Sequence, residues 1–182
     1  RNVERLMSLI SDLLDLSSLD SNEVMHRTKV STEEITNRVL KQLSPVVDSR
    51  KHAVKTVIDV PYVYADQKRL EQVMVNLLDN ASKYTLQGGR IELKWNCESS
   101  SHVVFSVKDS GAGIAREHQT RLFERFYRVD RARSRELGGT GLGLAIVKHI
   151  MQRHEGSVSI ESELGKGTTF FCRFPIHSLV NS

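Results

Sequence analysis

Asn76, Asn80 and Lys83 stand four and then three residues apart in a segment whose remaining positions are largely apolar. In a helix, at about 100° per residue, the three fall within about 60° of one another, on a stripe bordering the apolar face. Two amides and an ammonium at that border suit the wall of a pocket. An amide oxygen can ligate Mg2+ beside phosphate, and an ammonium offsets phosphate charge. A second set follows in Asp109-Ser110-Gly111-Ala112-Gly113-Ile114. Its carboxylate can accept from an exocyclic amine, and its glycines let backbone approach a flat ligand. A third is Gly138-Gly139-Thr140-Gly141-Leu142-Gly143-Leu144. Clustered glycines ahead of a helix expose backbone N–H groups to an anion. This is not the dinucleotide fingerprint, because Ile146 stands three residues after Gly143 and no strand closely precedes the run. Nor is it a Walker loop, since Lys166 is followed by Gly167 and Ile160 occupies the place of that motif's first glycine.

Periodicity supplies the elements that must hold these groups. Val3, Leu6, Ile10 and Leu13, widened by Met7 and Leu14, predict a helix over residues 1–20 with a seam for another helix. The polar Asp20–Glu23 stretch after it favours an interdomain role over packing on its own domain. Ser31 or Thr32 can cap a second helix, with Glu33 or Glu34 in its first turn and Ile35, Val39, Leu43 and Val46 facing inward. A strand over 53–60 and a short 62–65 segment lead to Asp66, a candidate N-cap. The helix after it runs to about Tyr84 on Leu70, Val73, Met74, Leu77, Leu78 and Ala81. Ile91, Leu93, Trp95 and Cys97 alternate, as do Val103, Phe105 and Val107, which predicts an antiparallel hairpin. Residues 115–141 are charged and irregular, with a short aromatic helix expected around Leu122–Tyr127 and a lid near 129–140. Leu142–His154 returns to helix, and 157–163 with 168–174 forms a last hairpin. Strands joined as hairpins with helices on one face predict an α+β two-layer sandwich.

Bulk properties narrow the class. The 182 residues, 39% hydrophobic and 26% charged, fit one globular domain with an appendage. No apolar run approaches the roughly eighteen residues of a membrane span, and no signal peptide is visible. The start inside a helical pattern reads as that of an excised fragment. A net charge of +4 without one long basic run argues against a nucleic-acid partner. Cys97 and Cys172 lie far apart in strand contexts, so both are expected to be buried small residues in a reducing cytoplasm.

Five segments together carry a family resemblance. Asn76-Leu77-Leu78-Asp79-Asn80-Ala81-Ser82-Lys83-Tyr84-Thr85 looks like the asparagine box of sensor histidine kinases, and Asp109–Ile114 resembles their first glycine box. Leu122-Phe123-Glu124-Arg125-Phe126-Tyr127-Arg128 is similar to the phenylalanine box, Gly139–Leu144 to the second glycine box, and Gly165-Lys166-Gly167-Thr168-Thr169-Phe170 to the closing glycine–threonine turn. The resemblance covers residues 28–176. The stretch Leu13-Leu14-Asp15-Leu16-Ser17-Ser18-Leu19-Asp20 resembles the end of the second helix of the family's dimerization domain. Two parts are therefore expected: residues 1–24 from the dimerization and phosphoacceptor helical domain, and 28–178 as an ATP-binding catalytic domain.

The resemblance implies the fold shared with gyrase-type ATPases, with ATP and Mg2+ as ligands. It implies that Asn80 ligates Mg2+, with Asn76 near the same ion or its waters, Lys83 facing the phosphates and Tyr84 beside the nucleotide. Asp109 would accept from the adenine amino group, with Gly111, Gly113 and Ile114 shaping that end. Arg128 is a candidate for the γ-phosphate. Thr140, Gly141, Leu142, Gly143 and Leu144 would form the lid hinge and the phosphate-binding helix start. Thr168 or Thr169 would support the adenine site. Gyrase-type ATPases place a water-activating glutamate one turn before the metal asparagine, where this chain has Asn76. An amide is no general base near neutral pH, so the pocket is expected to keep ATP for transfer rather than hydrolyse it. The family's acceptor histidine precedes the stub helix, and none of His26, His52, His102, His118, His149, His154 and His177 has its context. The resemblance implies a homodimer in the longer protein and a response regulator receiver domain as partner. Residues 1–20 argue against a serine kinase or anti-sigma switch on the same fold. A non-catalytic nucleotide-binding module remains the other alternative.

Overall fold

Strict alternation in the 90–109 stretch builds the centre of the molecule. In the computed structural model, which describes residues 2–20, 24–130 and 139–176, β4 (Arg90–Glu98) and β5 (His102–Asp109) form the expected antiparallel hairpin. Leu93 pairs with Val107 and Trp95 with Phe105. Because side chains alternate between faces, this register puts Ile91, Leu93, Trp95, Val103, Phe105 and Val107 on one buried face. The closing hairpin, β6 (Ser157–Glu163) and β7 (Gly167–Pro175), docks through β7 onto β5, setting Phe105 opposite Cys172 and Val103 opposite Phe174.

The strand expected over 53–60, β2 (Ala53–Ile58), belongs to neither hairpin; it joins β4 in parallel and completes a five-stranded sheet of order β2-β4-β5-β7-β6. A parallel neighbour needs a crossover. Here it runs through β3 (Tyr62–Asp66) and α3 (Gln67–Tyr84), so α3 lies across the sheet. Strand β1 (Arg27–Ser31), which the sequence did not announce, pairs antiparallel with β3 in a separate two-stranded sheet. Only Val30 of its five residues is buried, too little for an alternation signal.

The helical layer comprises α2 (Thr32–Ser49), α3 and α5 (Gly143–Arg153), with α4 (Arg116–Gln119) a single turn on the way. Ser31 settles the capping question: its Oγ accepts from Glu34 N at 3.3 Å. Asp66 caps α3 through Oδ1, 3.1 Å from Arg69 N. Leu70, Val73, Met74, Leu77 and Leu78 of α3 are fully buried, as are Ile146, Val147, Ile150 and Met151 of α5. The indole of Trp95 donates to Thr36 Oγ1 on α2 at 3.0 Å, so the largest core side chain is hydrogen-bonded as well as packed. The two-layer α+β class holds, as one hydrophobic core between sheet and helices.

The expected helix at Leu122–Tyr127 is instead a chain of turns, each N–H reaching back three residues from Arg121 to His118, Glu124 to Arg121 and Tyr127 to Glu124. Phe126 adopts a left-handed backbone (φ 64°) and its N–H goes to Gly141 O at 2.9 Å, so no helix can continue there. Of the expected lid, residues 131–138, Gly138 included, lie outside the described residues. Cys172 is buried, which pushes its thiol up to about 12. Cys97, contrary to expectation, is exposed. It adjoins the 99–101 turn, where the alternation of β4 outlasts the core.

α1 (Asn2–Asp20) divides its surface. Leu16, 3% exposed, and Leu9 join the core beside α5. Val3, Leu6, Met7, Ile10, Leu13 and Leu14, the seam read from the sequence, remain exposed. No described helix is long and apolar enough to cross a membrane.

Candidate functional site

Burying Leu77, Leu78 and Ala81 turns the adjoining stripe of α3 into one wall of a cavity of about 290 Å³. Asn76, Asn80, Lys83 and Tyr84 line it. Asp79 lines it too, and its carboxylate holds the Lys83 ammonium at 2.6 Å. The lysine thus borders the cavity with its charge paired along the helix.

Asp109 forms the inner end. It is the last residue of β5 and only 7% exposed. Burial pushes its carboxyl above the usual range, and the backbone N–H groups of Gly111 and Thr168 oppose that shift. Gly111 N donates to Asp109 Oδ1 at 2.8 Å. Gly111 itself sits behind the cavity wall, where a Cβ would come within 2.7 Å of both Asp109 Oδ1 and Tyr84 O. Gly113 and Ile114 line the cavity. Gly113 has φ 72°, and a Cβ there would lie 2.0 Å from Glu163 O. This glycine therefore lets the loop lie against the β6–β7 hairpin. Ile114 N donates to Ser162 Oγ at 2.8 Å, and Ser162 Oγ meets Thr168 Oγ1 at 2.9 Å. The register pairs Thr168 with Asp109 and Thr169 with Lys108, so of the two threonines it is Thr168 that faces the cavity, with Phe170 two residues on.

The third wall is the loop before α5. Thr140, Gly141, Gly143 and Leu144 line the cavity, while Leu142 turns inward and is fully buried in the core. No side chain caps α5. Its first N–H groups are therefore donors without an intrahelical acceptor, the arrangement that favours an anion. Arg128 closes the remaining side with Leu122, Tyr127, Val129 and Asp130. Tyr127 is positioned by its hydroxyl, 2.7 Å from His118 Nδ1.

Thus, of the residues to which the resemblance gives a role, the structure brings all to the cavity except Gly111, Leu142 and Thr169, which support the wall or face elsewhere. Three acidic residues were missed. Asp79 precedes Lys83 by one turn, a spacing that signals an ion pair. Asp130 carried no signal. Asp12 of α1 lines the cavity from far away in the chain, and nothing local could have placed it there. Within the polar lining, the amides of Asn76 and Asn80 and the carboxylates of Asp12, Asp79, Asp109 and Asp130 are hard oxygen donors suited to Mg2+. Among the described residues no cluster of three or more His, Cys, Asp or Glu could hold a metal by itself.

Residues 65–178 match the family model described as histidine kinase-, DNA gyrase B- and HSP90-like ATPase. The chain is 37% identical over 181 residues to the sensor histidine kinase WalK of Bacillus subtilis, which covers 94% of this chain and 29% of WalK. It is 36% identical to the sensor protein SrrB of Staphylococcus aureus, covering 94% of this chain and 30% of SrrB. Its fold superposes on full-length ShkA, solved in complex with AMPPNP, with a TM-score of 0.82 at 31% identity over 93% of this chain and 35% of ShkA. The chain thus spans under a third of the length of the sensor proteins it matches. It belongs to the histidine kinase-, DNA gyrase B- and HSP90-like ATPase family, on the sensor histidine kinase branch.

Proposed function

We propose that the cavity binds Mg-ATP and presents its γ-phosphoryl group to a histidine outside this chain, on the dimerization domain, for onward transfer to an aspartate of a response regulator. The observation that carries this reading is the polarity of this cavity. A buried carboxylate, Asp109, stands at one end, and two amides with an uncapped helix N-terminus stand at the other. Asp109 accepts from the adenine amino group, and Thr168 supports it across the β5–β7 ladder. The loop from Thr140 to Leu144 offers backbone N–H groups to the phosphates. Asn80 holds Mg2+, with Asn76 beside it or its waters, and bound Mg2+ supplies charge neutralisation at the phosphates.

Lys83 can serve the phosphates by exchanging partners. An i, i+4 pair that is partly exposed is worth only about 0.5 kcal/mol, so the switch from Asp79 costs little. Arg128 takes the γ-phosphate from the opposite side. Catalysis rests on holding the reactants in line and on charge stabilisation, and no residue here needs to become a nucleophile. Asn76 cannot deprotonate water, which preserves ATP for the transfer. The exposed seam of α1 pairs with further dimerization helices and a second copy. In this reading residues 1–24 belong to that helical domain and 28–178 to the catalytic one.

Calorimetric titration with ATP and Mg2+ tests the site. Asn80→Ala is expected to lose the metal-dependent part of ATP affinity, and wild-type affinity in that variant would refute the metal assignment. Incubation with labelled ATP tests the transfer. The chain alone should take up no acid-labile label, whereas a chain carrying both dimerization helices should.

A further inference from the structure

Among the carboxylates that line the cavity and that the proposed nucleotide site does not use, Asp12 comes from another element, α1. Thr140 Oγ1 donates to Asp12 Oδ2 at 2.6 Å. The same oxygen accepts from Leu142 N at 3.2 Å. The hydroxyl proton of the loop is therefore committed to α1. Asp12 is held in place by its neighbours on the helix, since Leu9, one turn before it, and Leu16, one turn after, both pack on the core. Its carboxylate borders the cavity and also the adjoining groove between α1, α2 and α3, and Asn76 borders both as well. It thus stands at the end of the cavity assigned to the phosphates.

We propose that Asp12 sets the affinity of the site according to the phosphate charge of its ligand, and that α1 docking and triphosphate binding oppose each other through Thr140. This rests on the nucleotide reading given above. Two physical effects act in the same direction. A carboxylate lining a partly closed cavity repels a polyanion more strongly than it would in bulk water. And while Thr140 donates to Asp12, it cannot donate to a phosphate oxygen, because a hydroxyl carries one proton. Linkage makes the effect reciprocal: a ligand that α1 weakens must in turn weaken the docking of α1.

The test compares the 182-residue chain with Asp12→Asn, which keeps the side-chain shape and an acceptor oxygen but removes the charge. Calorimetry with Mg-ATP, Mg-ADP and adenosine reads the effect. ATP is expected to bind about tenfold more tightly to the variant, within the usual range of coupling between sites. ADP should gain less and adenosine nothing, so unchanged adenosine affinity also shows that the variant is folded. The ATP gain should shrink as salt rises from about 0.05 to about 0.5 M, where screening shortens to a few ångströms. Hydrogen exchange reads the reciprocal effect: ATP should speed exchange at residues 9–16 in the wild type and less so in the variant, whose amide oxygen still accepts from Thr140. Equal ATP affinities in the two chains would overturn the proposal, as would an equal gain for adenosine or unchanged wild-type exchange at 9–16. If neither chain bound ATP, the nucleotide reading would fall first and this inference with it.

Discussion

Gly143 and Asn76 meet where the first turn of α5 crosses α3: a Cβ on Gly143 would lie 3.2 Å from Asn76 Oδ1. The missing side chain lets the uncapped helix N-terminus stand directly beside the amide stripe, joining the walls proposed to hold the phosphates and the metal. Gly143→Val should push the Asn76 amide from its place. ATP affinity is expected to fall at least about tenfold, while stability changes by no more than about 1–2 kcal/mol, a typical cost of modest overpacking. Calorimetry and urea unfolding measure the two separately. A fall in stability without a fall in affinity would place the tight fit outside the site.

Asp109 should matter for base identity more than for folding. Its desolvated carboxylate is a burden to the free protein that a ligand amine would relieve. Asp109→Asn is expected to leave unfolding free energy unchanged or slightly higher. It should lower ATP affinity about 10- to 100-fold, the loss of one charge-assisted hydrogen bond. Preference for ATP over GTP should narrow in a competition assay. Retained preference would assign the adenine contact to another group.

Restoring a general base at Asn76 should change the chemistry. With glutamate there, one helical turn before Asn80, Asn76→Glu places a carboxylate where water can be activated. Phosphate release from ATP should rise about 100-fold over the wild type, the low end for general-base catalysis. A phosphate-release assay at saturating ATP checks this. An unchanged rate would mean that hydrolysis is limited by something other than the missing base.

His154 ties α5 to the start of α3 and makes stability pH-dependent. It is buried, its Nε2 accepts from Asp66 N at 3.0 Å and its Nδ1 meets Ile150 O at 2.9 Å, so the proton sits on Nδ1. Burial lowers its pKa from the ordinary 6.5; Arg27 and Arg153 add to the shift, opposed by Ile150 O and Asp66. A folded-state pKa below the unfolded one means the unfolded chain binds the proton first as pH falls. The contribution of neutral His154 is therefore complete above pH 6.5 and is lost progressively as pH drops through the folded value. Urea midpoints measured from pH 8 to 5 should show this loss in the wild type and a smaller one in His154→Gln. At pH 8 that variant should be less stable by about 1–3 kcal/mol, since it disturbs two buried hydrogen bonds. Parallel pH profiles would remove His154 as the cause.

Much of the framework was legible because local rules decide it. Asp66 and Ser31 cap helices as their positions ahead of apolar stripes indicate, and the alternation from Ile91 to Val107 could only be a half-buried hairpin. The turns at 122–127 were not legible. Leu122, Phe123, Phe126 and Tyr127 have helical spacing, and the override is a distant bond from Phe126 N to Gly141 O. Strand β1 was invisible because its ladder to β3, rather than an apolar pattern, defines it.

By itself the sequence determined the segments and the chemical types of the site: the asparagine stripe, the aspartate with its glycines, and the glycine run before a helix. These are set by period, turn chemistry and side-chain donors within a few residues. Which of them meet was set by the packing of the whole chain. It chose Thr168 over Thr169 through the β5–β7 register, laid β2 parallel to β4 by passing α3 across the sheet, and occupied Lys83 with Asp79. It also carried Asp12 from α1 to Thr140. Such contacts depend on burial and register summed over the whole core, and no local stretch of chain encodes them.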